Sequence, residues 1–461
     1  MDEVRERIEG QFQNMMNRLR QLGGAVLFEE FPAAVGDNHP FADLMEGVQV
    51  REDEVLRDIL HDAPGTIGAL RRGRLWHHPQ RPRQEVMTMR LFQRAAALVL
   101  LLLVAAAVDA HAWSRSPART FATLPAGTAH PEGLTVDAAG NVWIADFDVS
   151  KAAGPGDVIE FDPSGQLVRV LHPTGSSNLL LGLAFHPSTG KLLVIDFGHG
   201  QVLTVNPVTG AAAPFITLPT GPPPPPPPNA ANSGLNDLTF DSAGNAYVSD
   251  SFQGIIWRTG PTGGLATPWV TNALLTTAGV PPFGANGLRF NKHETALFVA
   301  NTGNDTVVKI PVVGGPPGTT GTPGTPAVFV NSVNGADGLI IDAEDNLWIA
   351  ANQADEIVVL DPTGRVIAKL GDFNGINRDG APRGLLFPAS LAFSPNGHFL
   401  YVTNLSLDLR LVNPAFNAVD SQWAAQVRTH TVSKIRARIP PISGLPERDS
   451  DERDEDERDS N

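Results

Sequence analysis

A unit of about fifty residues recurs six times from residue 120 onward. Its copies begin at Pro131, Leu181, Leu235, Ala285, Ala336 and Pro388. Each copy has a short apolar strand, a polar turn and a second strand rich in aromatic and β-branched residues, as in "PEGLTVDAAGNVWIADF". Two more strand-like segments usually follow. Four antiparallel strands in each of six units predict an all-β fold, a six-bladed β-propeller.

The ends of this repeat array predict how the propeller closes. A helical solenoid can have a similar period, but the strands alternate with period two and no helical pattern of ten residues appears between them. The sixth unit lacks a fourth strand, and segment 119–124 ("RTFATL") is expected to supply it. The third strand of that unit is predicted within 430–439, which makes 405–428 a long insertion. The propeller is therefore expected to span residues 118–440.

Residues 89–112 have the three parts of a secretory signal. A short region with two arginines precedes an apolar run of 14 residues at 95–108, and the small-x-small sequence "AHA" follows at 110–112. The run is short for a transmembrane helix, which needs about 20 residues. The alternative is a buried core helix, which the basic and small-residue flanks disfavour. We expect a signal peptide or a signal anchor, formed by an apolar helix.

Residues 1–88 stand before this signal, although signal peptides are N-terminal. Two interpretations stay open. In the first, translation starts at Met87 or Met89, and the upstream, non-propeller segment is a gene-model extension. Otherwise the signal is an uncleaved anchor, and the arginines between 71 and 94 keep the upstream segment in the cytoplasm. Both interpretations predict a periplasmic or extracellular propeller, with membrane contact only through an anchor.

Composition excludes several classes of function. The chain has no cysteine, which excludes disulfides, thiolate metal sites and a cysteine nucleophile. The net charge is −15, and nine acidic residues lie in the last segment, "ERDSDERDEDERDSN". Residues 441–461 are therefore expected to form a disordered acidic tail. The rest of the chain has no long basic stripe, so no nucleic-acid partner is expected.

One position of the first strand recurs in register through all six units. It holds Glu132, Leu181, Asn236, Asn286, Asp337 and Ala389, at spacings of 49, 55, 50, 51 and 52 residues. The inner strands of a propeller line its central channel, so equivalent positions form a ring at one depth. Four members of this ring carry side-chain oxygens. Such oxygens suit Ca²⁺, or alternatively Mg²⁺ or Mn²⁺. The ring contains no His or Cys, which disfavours Zn²⁺ and Cu²⁺.

The alternative for these four residues is that they only form hydrogen bonds at a wet channel mouth. Two of them, Glu132 and Asp337, are acids. Carboxylates that converge with no cation between them repel each other. The pair of acids therefore favours a metal site formed by Glu132, Asn236, Asn286 and Asp337.

This pattern resembles the SMP-30/gluconolactonase/LRE-like family, which is related to diisopropylfluorophosphatase. The resemblance covers roughly residues 121–439 and is carried by the motifs "PEG", "LNDLTFD", "ANGL" and "GADG". It implies a catalytic Ca²⁺ in the channel, held by Glu132, Asn236, Asn286 and Asp337. Diisopropylfluorophosphatase has a histidine on its last blade, where this chain has Asn404. Ile340 replaces an acid that would hold a second, structural calcium, so phosphotriesterase activity is the less expected one.

The predicted activity is that of an exported, calcium-dependent lactonase or esterase, a hydrolase of a small lactone or ester. The cation would polarise the carbonyl, and Asp337 would activate water as a general base or attack directly. Leu181, Ala389 and the 405–428 insertion are expected to form an apolar wall for the substrate.

Other residues and functions stay open at this point. His130 and Asn404 are further predicted substrate contacts. A non-catalytic NHL-type propeller that binds a ligand or a protein partner on the same face is the alternative function. A lyase that acts on a cyclic ester is another, and it would need a base such as His130 or His199.

Overall fold

The structure is a computed structural model that describes residues 116–220, 233–314, 321–416 and 421–438. The signal at 89–112, the upstream segment, the proline run at 221–229 and the acidic tail lie outside the described residues. Among the residues that are described, no helix is both long and apolar enough to cross a membrane.

The first described strand, β1 (Arg119–Thr123), pairs with the last described strand. The first three blades follow β1 in the chain. Blade 1 contains β2 (Pro131–Val136), β3 (Val142–Asp146), β4 (Val158–Phe161) and β5 (Leu167–Leu171). Blade 2 contains β6 (Leu180–Phe185), β7 (Leu192–Asp196), β8 (Gln201–Val205) and β9 (Ala212–Thr217). Blade 3 contains β10 (Leu235–Phe240), β11 (Ala246–Asp250), β12 (Ile255–Thr259) and β14 (Thr267–Thr271).

Three more blades complete the ring. Blade 4 contains β15 (Ala285–Phe290), β16 (Ala296–Asn301), β17 (Thr306–Val313) and β19 (Ala327–Asn331). Blade 5 contains β20 (Ala336–Ile341), β21 (Leu347–Ala351), β22 (Glu356–Leu360) and β23 (Val366–Leu370). Blade 6 contains β26 (Pro388–Phe393), β27 (Phe399–Asn404) and β28 (Thr431–Arg436), with β1 as its fourth strand. The predicted six-bladed β-propeller is confirmed.

Closure of the ring follows the sequence expectation. β1 pairs with β28 in antiparallel register, with Ala122 opposite Val432 and Thr123 opposite Thr431. β28 in turn pairs with β27, as the sequence predicted for the third strand of this unit. Strands from both ends of the propeller therefore share one sheet, which leaves no open blade between the first and the last repeat.

Neighbouring blades pack through aromatic side chains whose polar groups are satisfied locally. On three blades an aromatic residue of the second strand contacts a phenylalanine that ends the inner strand of the next blade. The pairs are Trp143–Phe185 at 5.8 Å, Tyr247–Phe290 at 4.9 Å and Trp348–Phe393 at 5.2 Å between ring centroids. The same aromatic residues donate hydrogen bonds to Asp137, Asp241 and Asp342. This explains the recurring turn sequences, because their aspartate holds both the turn and the interblade aromatic residue.

Several short elements were not predicted. β13 (Gly264–Leu265) pairs in parallel with β9, and β18 (Thr322–Pro323) pairs with the end of β17. β24 (Phe373–Ile376) and β25 (Pro382–Gly384) form a hairpin between blades 5 and 6. The insertion after β27 contains a 3₁₀ helix, Leu409–Leu411, and α1 (Ser421–Ala424). Two other 3₁₀ helices are Phe197–His199 and Ala273–Leu275.

Candidate metal centre

The recurring position of the sequence coincides with an irregularity that the structure repeats in every blade. The pairing of each inner strand with the second strand shifts register over one dipeptide. These dipeptides are 132–133, 181–182, 236–237, 286–287, 337–338 and 389–390. A β-bulge bends its strand and re-aims the side chains at that point. The ring predicted from the repeat spacing is therefore the first residue of six equivalent bulges.

The second residue of the bulge explains how closely these strands approach. It is glycine in four blades. A Cβ atom placed on Gly287 would lie 2.5 Å from the carbonyl oxygen of Asp337, and one placed on Gly338 would lie 2.5 Å from that of Ala389. The backbones of adjacent inner strands thus meet at a distance that only glycine allows. This close approach brings the preceding side chains together around the axis.

The four oxygen-bearing members of the ring line a single small cavity. Glu132, Asn236, Asn286 and Asp337 are all buried there, and Leu181 lines the cavity with them. The cavity has a volume of about 30 Å³, which is enough for one water molecule or one ion. The sixth ring member, Ala389, is buried in the adjacent apolar cluster and is not among the lining residues.

Asp337 is the most constrained of the four side chains. The side-chain amide of Asn352 donates a hydrogen bond of 2.8 Å to its Oδ2 atom. Its Oδ1 atom is buried and has no hydrogen-bond partner in the part of the chain that the structure describes. Burial raises the pKa of Asp337 to about 7, against the opposing effect of the Asn352 bond, and the charge of Asp237 raises it further.

Glu132 lies close enough to Asp337 for the two carboxylates to interact. Burial raises the pKa of Glu132 well above its usual range, and the negative charges of Asp337 and then Asp237 add to that effect. Both acids therefore resist ionisation while no cation is near them. A divalent cation would remove this repulsion and supply the partner that the Oδ1 atom of Asp337 lacks.

The donor set fits a hard cation. The ring offers two carboxylates and two amide side chains, which are the oxygen ligands that Ca²⁺ accepts in sites completed by water. Among the described residues, no group of three or more His, Asp or Glu side chains is arranged to hold a metal. Any site in this cavity would accordingly depend on the amides of Asn236 and Asn286 as well as on the two acids.

Asn286 is oriented by a short chain of hydrogen bonds. Its Nδ2 atom donates to Oγ1 of Thr302 at 2.9 Å, and that hydroxyl donates to the carbonyl oxygen of Ala336 at 2.8 Å. Because the amide nitrogen is bound to Thr302, the side-chain carbonyl of Asn286 is left as a potential ligand. Thr302 therefore supports the ring from the loop that follows β16.

Sequence reasoning missed three polar residues at this centre. Asn352 and Thr302 line the cavity and follow the second strands of blades 5 and 4, where a polar residue after each strand was their only sequence signal. Asp237 occupies the second bulge position, where four blades have glycine. Its Oδ2 atom accepts a hydrogen bond of 2.8 Å from Arg289 on the next blade. In the sequence "LND", aspartate stands where four other repeats have glycine, and this difference could have indicated the role of Asp237.

Besides Ala389, two further predicted substrate contacts, His130 and Asn404, lie outside the cavity lining. The Nδ1 atom of His130 lies 3.1 Å from the carbonyl oxygen of Leu405, and its backbone N–H donates to Nδ1 of His430 at 3.3 Å. Burial lowers the pKa of His130. Asn404 accepts a hydrogen bond from the backbone of Leu386, and its amide donates to the hydroxyls of Thr431 and Ser433. His130 thus holds the start of the blade 6 insertion, whereas Asn404 ties β28 to the loop before β26.

The insertion itself reaches the centre. Leu405, Leu407 and Leu409 line the cavity, together with Phe387 from the loop before β26. His199, considered above as a base, lies on blade 2, where its Nδ1 atom is 2.8 Å from a carboxylate oxygen of Asp196. The cavity therefore has a polar floor made of the four polar ring members and an apolar wall to which the insertion contributes three leucines.

Two matches to one family model cover residues 100–182 and 180–371, well over half of the chain. The family is described as the SMP-30/gluconolactonase/LRE-like region. The chain belongs to this family. The resemblance inferred from the ring and its motifs is thereby confirmed. The family match includes blades 1 to 5, and with them every polar member of the ring.

Several solved structures are similar to this SMP-30/gluconolactonase/LRE-like protein. A regucalcin from Agrobacterium tumefaciens, described as a calcium-binding protein, has 19% identity and a TM-score of 0.45, covering 72% of this chain and 99% of its own. A luciferin-regenerating enzyme has 19% identity and a TM-score of 0.47, with coverages of 68% and 92%. A gluconolactonase from Xanthomonas campestris has 16% identity and a TM-score of 0.45, with coverages of 63% and 88%. No curated protein sequence matches the chain significantly.

Proposed function

We propose that this protein is a metal-dependent hydrolase of a small lactone or ester. One observation carries the proposal. Two buried acids, Glu132 and Asp337, share a cavity of about 30 Å³, and a buried oxygen of Asp337 has no hydrogen-bond partner among the described residues. The family to which the chain belongs includes gluconolactonases in its description, which supports a lactone as the type of substrate.

The four polar ring members, Glu132, Asn236, Asn286 and Asp337, would hold the metal. We propose Ca²⁺, because amide and carboxylate oxygens are its usual ligands, and Mg²⁺ or Mn²⁺ as alternatives. When bound, such a cation polarises the substrate carbonyl and stabilises the negative charge that develops on its oxygen.

The residues of the chain would carry the proton transfers. Asp337 would take a proton from the attacking water as that water forms a bond to the carbonyl carbon. In a lactone, the bond between the carbonyl carbon and the lactone-ring oxygen then breaks. The same proton passes to that leaving oxygen, which gives a hydroxy acid. Asn352 would hold the Oδ2 atom of Asp337 and so fix the orientation of the carboxylate at the cavity. Leu405, Leu407 and Phe387 would limit the access of bulk water.

The test measures metal binding and turnover in one preparation. The protein is stripped of divalent cations, and its melting temperature is measured with and without Ca²⁺, Mg²⁺ and Mn²⁺. Hydrolysis of a panel of lactones and esters is then followed. Ca²⁺ is expected to raise the melting temperature and to be required for turnover. Asp337→Asn is expected to lower kcat by about 10³-fold, the scale of a lost general base.

The matched control is Asp345→Asn, in the turn between β20 and β21 of blade 5. Asp345 has a φ of 63°, a conformation that asparagine also accepts, so this change removes a charge without strain. If Asp337→Asn leaves both the Ca²⁺-induced shift and the hydrolysis unchanged, the site is assigned wrongly. If Ca²⁺ binds and nothing in the panel turns over, the protein is instead a non-catalytic propeller that binds a ligand or a protein partner.

We also propose that the propeller works outside the cytoplasm, on a small molecule, in the periplasm or the extracellular space. The support is the signal-like composition of residues 89–112. N-terminal sequencing of the mature protein tests it. An N-terminus just after residue 112, or a membrane-bound form with an intact anchor, is expected. A soluble protein that begins at Met1 would contradict it.

A further inference from the structure

An apolar cleft of about 540 Å³ adjoins the metal centre. Its wall is formed by Phe147, Phe197, Phe252 and Phe283, which come from three blades and from the connection between blades 3 and 4. Val412 and Phe416 of the blade 6 insertion contribute to the lining. The volume is in the usual range for pockets that bind small molecules. Every side chain that lines the cleft in the described chain is apolar.

The aromatic side chains form one continuous surface. The rings of Phe252 and Phe283 stack with their centroids 5.7 Å apart and their planes at 27°. Phe197 contacts Phe147 at 5.7 Å and Phe252 at 5.8 Å. The ring of Phe252 also lies against Gly234, where an added Cβ would come within 2.7 Å of it. The cleft is therefore shaped by packing around these rings.

The cleft opens to solvent although it is apolar. Phe252 is 48% exposed and Val412 is 44% exposed. Single exposed apolar residues are common on protein surfaces, whereas a contiguous exposed apolar surface of this kind usually marks a binding site. The exposed aromatic rings in particular offer flat faces for a second aromatic or a branched alkyl group.

The cleft and the metal centre are continuous. Phe147 and Phe283 line both the cleft and the small polar cavity. A single small molecule can therefore place its carbonyl at the ring of Glu132, Asn236, Asn286 and Asp337 while another part of it fills the cleft. The part of the group that packs against the wall has to be apolar, because a charged or hydroxylated part would lose its hydration there with no partner among the described residues.

We propose that the substrate is a lactone or ester that bears an aromatic or branched alkyl group, and that this group binds in the cleft. A sugar lactone, which carries several hydroxyl groups, does not suit an apolar wall of this kind. This inference rests on the proposed hydrolase function for its choice of lactones and esters. It goes beyond that function in assigning the cleft as the determinant of specificity.

The test uses binding as well as turnover. Two non-hydrolysable probes, γ-butyrolactam and its phenyl-substituted derivative, are titrated into the full-length protein with excess Ca²⁺ and followed by ligand-observed NMR. The phenyl lactam is expected to bind at least about tenfold more tightly. Phe252→Ala is expected to weaken phenyl lactam binding by about five- to tenfold and to leave the unsubstituted lactam unaffected.

Leu265→Ala is the matched control, because Leu265 is 64% exposed on the edge strand β13, and it is expected to change neither affinity. Equal affinities for the two lactams, or a preference that Phe252→Ala leaves intact, would overturn the assignment of the cleft. Turnover of the corresponding lactones, measured on the same samples, reports on the hydrolase function separately. A phenyl preference in binding that is lost in Phe252→Ala supports the cleft assignment whether or not the lactones turn over.

Discussion

The side-chain amide of Asn352 donates to one carboxylate oxygen of Asp337 at 2.8 Å, and the other oxygen of that carboxylate has no hydrogen-bond partner among the described residues. The bond stabilises the ionised form of Asp337, whereas burial favours the protonated form and raises its pKa to about 7. Asn352 thus sets the orientation of Asp337. By opposing the rise in the pKa of Asp337, it also favours the ionised form that binds a cation.

We expect Asn352→Ala to weaken Ca²⁺ binding about tenfold, as is typical when a residue that supports a metal ligand is removed. Without the amide, the pKa of Asp337 rises further, so the cation must displace a proton more often. Calorimetric titration with Ca²⁺ at pH 6 and pH 8.5 measures the effect, and the loss of affinity should be larger at pH 6. Asn346→Ala breaks the same kind of bond, to Asp342 in a turn, and should not change the affinity. An equal loss at both pH values would contradict this account.

The repeat made much of this centre predictable. Six copies of one strand pattern indicate a propeller, and a propeller places equivalent positions around one axis. Glu132, Asn236, Asn286 and Asp337 could therefore be grouped from their spacing alone, and the structure places them around one cavity. The role of segment 119–124 was predictable for the same reason, since a sixth unit that is one strand short needs a partner from elsewhere.

The supporting residues were not predictable from the repeat. Asn352 and Thr302 act through their contacts with Asp337 and Asn286, and those contacts depend on the exact path of two loops. Asp237 faces Arg289 across a blade boundary, so its role requires the distance between neighbouring strands. The hairpin of β24 and β25 has no counterpart in the described parts of the other repeats. Periodicity carries information about what the blades share, and these features are what the blades do not share.

A second prediction concerns acid stability. Burial, and then the charge of the adjacent His130, lower the pKa of His430 from 6.5 to about 3. The unfolded chain therefore binds a proton that the folded protein refuses, so this stability is present above pH 6.5 and is lost as the pH falls toward 3. We expect His430→Asn to reduce the loss of unfolding free energy by up to about 1.4 kcal/mol per pH unit between pH 6 and 4.

Urea unfolding at pH 7, 6, 5 and 4 measures this dependence. Asparagine keeps an oxygen that can accept the backbone N–H of His130, which His430 accepts through Nδ1. His293→Asn, at an exposed position, is the matched control and should leave the pH dependence unchanged. Parallel curves for the original protein and for His430→Asn would show that His430 does not contribute to the acid sensitivity.

The third prediction tests the closure of the propeller by β1. Ala122 is 3% exposed and packs in the core cluster shared by blades 1 and 6, whereas the next residue, Thr123, is exposed. We expect Ala122→Asp to lower the free energy of unfolding by about 3 kcal/mol or more, because it buries a charge with no partner. Thr123→Asp adds the same charge to the same strand and should cost less than about 0.5 kcal/mol. Urea unfolding of both variants decides the matter. Similar stabilities for the two would mean that β1 does not seal the sixth blade.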